Sequence, residues 1–224
     1  MAQRRTPAKD VAKPRNGGYW IDHAEITDAD VSWLKDVTRL TLWNVTMPPD
    51  FLGRLLHLTW LDIRGGSAEA LAVGQARSLH YLAVNQVRGL TDVSEIALLL
   101  DLRRLDLYGL SKVSTFPSLT RLKALRHISI GQMRALSSFA PFLDAPNLKE
   151  LELVRKISVS PEDLRRIQEH PKLEAFEWFA EDVPVKIWML VCNQVKLPKI
   201  RRMLPEDWFA IHKEDLALPV GTGS

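Results

Sequence analysis

Seven times along this chain of 224 residues the spacing Leu-x-x-Leu-x-Leu returns, with another apolar residue at some of its places. The copies read VTRLTL from Val37, LTWLDI from Leu58, LHYLAV from Leu79, LRRLDL from Leu102, LRHISI from Leu125, LKELEL from Leu148 and LEAFEW from Leu173. Their intervals are 21, 21, 23, 23, 23 and 25 residues. A period in the twenties rules out most compact folds, because one copy is too short to enclose a core and buries its apolar edge only when the next copy stacks on it. The alternation within each motif predicts a short strand, so stacking builds one parallel sheet with every second side chain turned away from the core.

Between the strands apolar residues recur at nearly every third position, as in Val84, Val87, Leu90, Val93, Ile96 and Leu99. Three residues per turn suits 3₁₀ or extended segments, so the opposite side of the array is expected to be thin and mostly irregular. One stretch differs. Ser160-Pro161-Glu162-Asp163 joins an N-cap serine, a proline at the first helical position and acids in the first turn, which predicts a helix over 161–169 with Leu164 and Ile167 inward.

The ends are read in the same way. Residues 1–18 are polar and proline-containing and are expected to be a disordered basic tail. Residues 19–36 are read as an N-terminal cap, where Thr27 and Asp30 have the spacing of a capping box for a helix to about Lys35. The seven repeats occupy 37–182, a C-terminal cap 183–219 and a short tail 220–224. The apolar run Val185–Cys192 belongs to that cap, as strand or helix, and the remainder with Trp208 and Phe209 is expected to wrap over the last repeat.

The seven motifs resemble those of the leucine-rich repeat family over roughly residues 37–180, most closely its short-repeat, cytoplasmic type. The resemblance implies an α/β repeat, a leucine-rich repeat solenoid with a parallel concave β-sheet. It also implies a non-catalytic interaction module that binds a specific protein, with an inhibitor or immunity-type role as one form and an adaptor or regulatory subunit that targets an enzyme as the other. The chain departs from the family at the asparagine ladder: those positions hold Val45, Gly66, Val87, Leu110, Met133, Lys156 and Glu181.

Charge and composition narrow the classes further. The pI of about 9.0 arises in the first fifteen residues, whose net +4 leaves 25 basic against 26 acidic residues in the rest. No apolar run approaches the length of a membrane span, and the N-terminus lacks the apolar centre of an export signal, so a cytoplasmic protein is expected. The single cysteine, Cys192, lies in an apolar run and is expected to be buried and inert. No metal or cofactor motif is present, and none is expected to bind.

Function then falls to the side chains on the concave face, which form three columns across the repeats. The first holds Arg39, Trp60, Tyr81, Arg104, His127, Glu150 and Ala175; the second Thr41, Asp62, Ala83, Asp106, Ser129, Glu152 and Glu177. The third holds Trp43, Arg64, Asn85, Tyr108, Gly131, Val154 and Phe179. Like positions about 4.8 Å apart give a surface of about 29 Å, enough for a protein footprint. Tyr, Trp and Arg gather in the first four repeats, the composition of protein-binding hot spots. The candidate partner site is therefore Arg39, Trp43, Trp60, Asp62, Arg64, Tyr81, Asn85, Arg104, Asp106, Tyr108, His127, Glu150 and Glu152. A nucleic-acid surface is disfavoured by Asp62 and Asp106 among the arginines. Catalysis is disfavoured too: Arg104, Asp106, His127 and Glu150 read as a water-exposed salt-bridge ladder without pocket or nucleophile. A monomer is expected in the absence of the partner.

Overall fold

The structure, a computed structural model, describes residues 5–213. The parts of the end readings that fall on residues 1–4 and 214–224 lie outside the described residues. The chain is a leucine-rich repeat solenoid. Each of the seven motifs forms a five-residue strand: β5 (Arg39–Trp43), β6 (Trp60–Arg64), β7 (Tyr81–Asn85), β8 (Arg104–Tyr108), β9 (His127–Gly131), β10 (Glu150–Val154) and β11 (Ala175–Phe179). All six successive pairs are parallel and in unbroken register, so the three concave columns stand as the motif spacing implies. The inward residues, among them Leu40, Leu61, Leu82, Leu105, Ile128 and Leu151, are buried in one continuous core.

Every strand from β5 to β10 hands over to a residue with positive φ: Asn44, Gly65, Gln86, Gly109, Gln132 and Arg155. Where the backbone turns sharply from the concave face, it enters the left-handed region, and glycine or a polar residue takes that place most cheaply. The amide of the turning residue then bonds the last carbonyl of the next strand, as in Asn44 N to Arg64 O (2.7 Å) and Gly65 N to Asn85 O (2.8 Å). In place of the asparagine ladder, Val87, Leu110 and Met133 are buried in the core at those corners. The hydrogen-bonding role has moved into the backbone, and the corner is filled by apolar packing.

The opposite side is thin, with 3₁₀ turns at Phe51–Arg54, Ser94–Leu98 and Ala140–Asp144. The expected helix is present at Pro161–Glu169 (α3), with Ser160 as its cap. Asp163, fully buried, accepts from Ser160 N (2.8 Å), Ser160 Oγ (2.7 Å), Ser138 Oγ (2.7 Å) and Phe139 N (3.0 Å), and so ties this repeat to the one before it. Leu164 is half-buried against the core and Ile167 buried within it.

The N-terminal reading needs correction. The described part of residues 1–18 is ordered: β1 (Thr6–Pro7), α1 (Ala8–Val11) and β2 (Lys13–Arg15) precede β3 (Gly18–Asp22). β3 pairs in parallel with β5, Ile21 opposite Leu42, so the array begins one strand earlier than the motifs do. β2 returns antiparallel on the open edge of β3 through Asn16 and Gly17, both with positive φ, the geometry of a two-residue hairpin turn. Gly18 is required there, since a Cβ would stand 2.0 Å from the Arg39 carbonyl oxygen. The segment 24–37 keeps its helical signal only in short form: β4 (Ala24–Glu25) pairs with β1, then a 3₁₀ turn Asp28–Asp30 leads into α2 (Val31–Leu34). Thr27 N donates to Asp30 Oδ2 at 2.8 Å, as the capping spacing implies.

At the other end the apolar run is helical, α4 (Val185–Val195), and Lys196 leaves it in the left-handed conformation. Phe176 N donates to Pro198 O (2.9 Å), which closes the edge of β11. Cys192 is half-buried on α4, less enclosed than expected, and burial pushes its thiol up, away from the reactive thiolate. A last short helix, α5 (Pro205–Ile211), does not stay over the last repeat. It crosses the concave face.

Candidate functional site

α5 lies along the first column and touches it from β5 to β10. Glu206 Oε1 meets Arg39 Nη2 at 2.5 Å. Phe209 packs on Trp60 and Tyr81 at ring separations of 5.6 and 6.3 Å. Trp208 is only 2% exposed; it sets its edge on His127 and donates from Nε1 to Glu150 Oε2 at 2.6 Å. His212, at the end of the helix, reaches Glu150 at 3.9 Å.

This placement divides the thirteen candidate residues. Asp62, Tyr81, Arg104, His127 and Glu152 are buried. Arg39, Trp60 and Glu150 are half-covered and already engaged with α5. The third column stays open: Trp43 is 41% exposed, and Arg64, Asn85 and Tyr108 are partly exposed beside it. Asp106 is half-buried and accepts from Tyr81 Oη (2.9 Å) and Arg104 Nε (3.1 Å). Sequence reasoning also missed Trp20 and Arg15 on the extra strands, where the Arg15 guanidinium lies over the Trp20 ring at 4.7 Å and Trp43 stands 5.8 Å from it. The Asn16-Gly17 pair was the available signal for that hairpin.

The Arg104, Asp106, His127 and Glu150 group is brought together, but as a buried network rather than a ladder in water. His127 is 2% exposed, with Nδ1 at 2.8 Å from Glu150 and Nε2 at 4.0 Å from Asp106. Among the described residues His127 Nε2 is the one buried side-chain nitrogen or oxygen with no hydrogen-bond partner. Burial works against the Arg104 charge, but the Asp106 carboxylate outweighs it and holds the guanidinium above its usual range. Burial, and then Asp106, push the Tyr81 hydroxyl well above the usual phenol range, so it remains a donor. Tyr81 Oη donates to Asp106, and His127 Nδ1 and Trp208 Nε1 both meet Glu150, which leaves His127 Nε2 as the open position of this network.

Glu150 makes a testable link between pH and the seating of α5. Burial raises it, but the hydrogen bond and charge of His127, then Trp208 and His212, outweigh burial and hold it below its ordinary 4.5. A carboxyl with a depressed folded-state value stabilises the fold above its unfolded value and loses that contribution as pH falls through the folded one. Stability should therefore decline as pH drops below about 4.5, and Glu150→Gln should shrink that decline in denaturant titrations across the acid range. An unchanged acid limb in Glu150→Gln would assign it to other carboxyls.

The remaining open surface includes a cleft of about 410 Å³ at the N-terminal end, between β2, β3, β5, β6 and the start of α5. No helix among the described residues is long and apolar enough to cross a membrane.

A solved structure matches the architecture of the solenoid. The chain is similar to an internalin (inlF) from Listeria monocytogenes, with a TM-score of 0.54 and 15% identity over 82% of this chain, and it spans 55% of that protein's length. An internalin C2 (inlC2) from the same species matches with a TM-score of 0.46 and 17% identity over 80% of this chain and 98% of its own. At such identities the likeness speaks to the fold alone. No protein-family model matches the sequence, and a search of curated proteins finds no match.

Proposed function

We propose that this chain is a non-catalytic binding module that engages one specific protein on the open strip of its concave face and acts by occupying that partner, as an inhibitor or immunity-type protein does. The observation that carries this reading is the third column. Trp43, Arg64, Asn85 and Tyr108 stand in register on four adjacent strands, held by a parallel ladder, and α5 leaves them uncovered. Rigid aromatic rings lose little entropy on binding and offer large contact area, and Arg64, already held by Asp62, adds a directional donor, the combination that dominates hot spots. Trp20, opposite Thr41 of the second column, borders the strip with its ring 5.8 Å from that of Trp43. Trp60 and Tyr81, by contrast, pack on each other at 4.0 Å and on Phe209, so their double alanine variant is expected to cost stability as well as binding.

The test is retention from a lysate of the native host on immobilised protein, wild type against Trp43→Ala/Arg64→Ala/Tyr108→Ala, with bound species identified by mass spectrometry. One protein retained by wild type and lost with the triple variant, whose thermal unfolding stays within about 1 kcal/mol of wild type, is the expected result. Equal retention by both forms, or retention of nucleic acid alone, overturns it.

A further inference from the structure

The cleft at the N-terminal end has a charge pattern that the fold does not use up. Three guanidinium groups line it, Arg15, Arg39 and Arg64, against two carboxylates, Asp62 and Glu206. Both carboxylates are committed: Glu206 to Arg39, and Asp62 to Arg64 through Nε (2.9 Å) and Nη2 (2.7 Å). Arg15 has no carboxylate within 4.0 Å among the described residues; it rests on the Trp20 ring, over which Arg64 also lies at 5.4 Å. Arg64 is partly exposed, and its Nη1 makes no hydrogen bond within the described residues. The cleft thus combines a net positive charge, unspent donors and indole walls.

We infer that this cleft binds an acidic peptide segment of the partner, with a carboxylate side chain between Arg15 and Arg64 and an apolar neighbour against Trp20 and Trp60. The inference rests on the protein-binding reading and names the chemistry of the partner. The chain itself already makes the same combination next door: Glu206 of α5 sits on Arg39 while Phe209, three residues on, packs on Trp60. Arginine over an indole face is held in place by the ring and keeps its in-plane N–H groups for a carboxylate, so the recognition surface is ordered before the ligand arrives. A volume of about 410 Å³ holds a few side chains rather than a domain, which suits a protruding segment. A polyanion such as nucleic acid would share the arginines, but its unbroken run of phosphates would also face Asp62 and Glu206, which line the cleft, whereas a peptide can set apolar residues beside them.

The test titrates full-length protein with a fluorescent decapeptide of glutamate and alanine around one phenylalanine, with the same peptide carrying lysine for glutamate, and with fluorescent oligothymidine. Saturable binding of the acidic peptide is expected, with Arg15→Glu and Arg64→Gln each weakening it about 10-fold, the loss of one charge-assisted contact. Arg121→Glu, an exposed residue outside the cleft, changes charge by the same amount as Arg15→Glu and should leave affinity within about 2-fold, since a remote charge is screened. No saturable binding, equal weakening by Arg121→Glu, or tighter binding of oligothymidine than of the acidic peptide each overturns the inference. The titration needs no native partner. Its failure beside a successful lysate experiment removes the cleft assignment only, and the reverse combination removes the third-column site while the cleft keeps its preference for acidic peptide.

Discussion

Leu105→Asp should leave the middle of the solenoid unable to fold. Leu105 is fully buried on β8, in register with Leu82 on one side and Ile128 on the other, so its side chain belongs to the interface of three repeats at once. Alanine at this place should cost about 3 kcal/mol through lost contacts and a cavity. Aspartate adds a carboxylate with no partner in an apolar stack, for roughly 4 kcal/mol or more in all. Against a total stability of about 5 to 15 kcal/mol, that is enough to abolish a cooperative transition. Urea unfolding followed by far-ultraviolet circular dichroism checks it: Leu105→Ala should shift the midpoint downward, and Leu105→Asp should show no native baseline. A folded Leu105→Asp variant would mean that this stack relaxes locally instead of transmitting the defect to its neighbours.

Trp208→Ala should free α5 from the concave face. The indole is buried against His127 and Arg104, donates to Glu150, and meets Phe209 edge to face at 5.0 Å, so it is the main anchor of the helix toward the C-terminal half. A buried tryptophan replaced by alanine costs about 3 to 5 kcal/mol. A seven-residue helix, too short to persist in water by itself, cannot stay ordered without that anchor. Hydrogen exchange should lose protection over 205–212, while the strand amides of β5 to β11, those of Tyr81 and His127 among them, remain slow. Unchanged protection over 205–212 would show that Glu206 and Phe209 hold the helix unaided.

Much of this architecture was legible because leucines mark the strands. Each of the seven motifs lies on one strand, and the column register follows from spacing alone once the strands are parallel. The eighth parallel strand was not legible, because Asn16 and Tyr19 stand where the motif has leucines and only Ile21 keeps its place. The site was legible as columns but not as surface. Periodicity tells which side chains leave the core; it does not tell that a distant helix will cover them. Trp208 and Phe209 carried that information as two adjacent rings in an otherwise plain segment, and nothing in their spacing points at His127 or Trp60. Arg104 and His127 are buried beside Trp208, and that cover turned an expected exposed charge ladder into a largely interior network.

The interval between motifs grows from 21 to 25 residues along the chain, yet no strand slips by a single place against its neighbour. All of the added length is taken up on the far side, in turns, extended segments, 3₁₀ turns and α3. The recognition face and the back of this molecule are therefore separate inheritances: residues can be gained or lost behind the sheet without moving any concave column, and the columns can be rewritten without renegotiating the back.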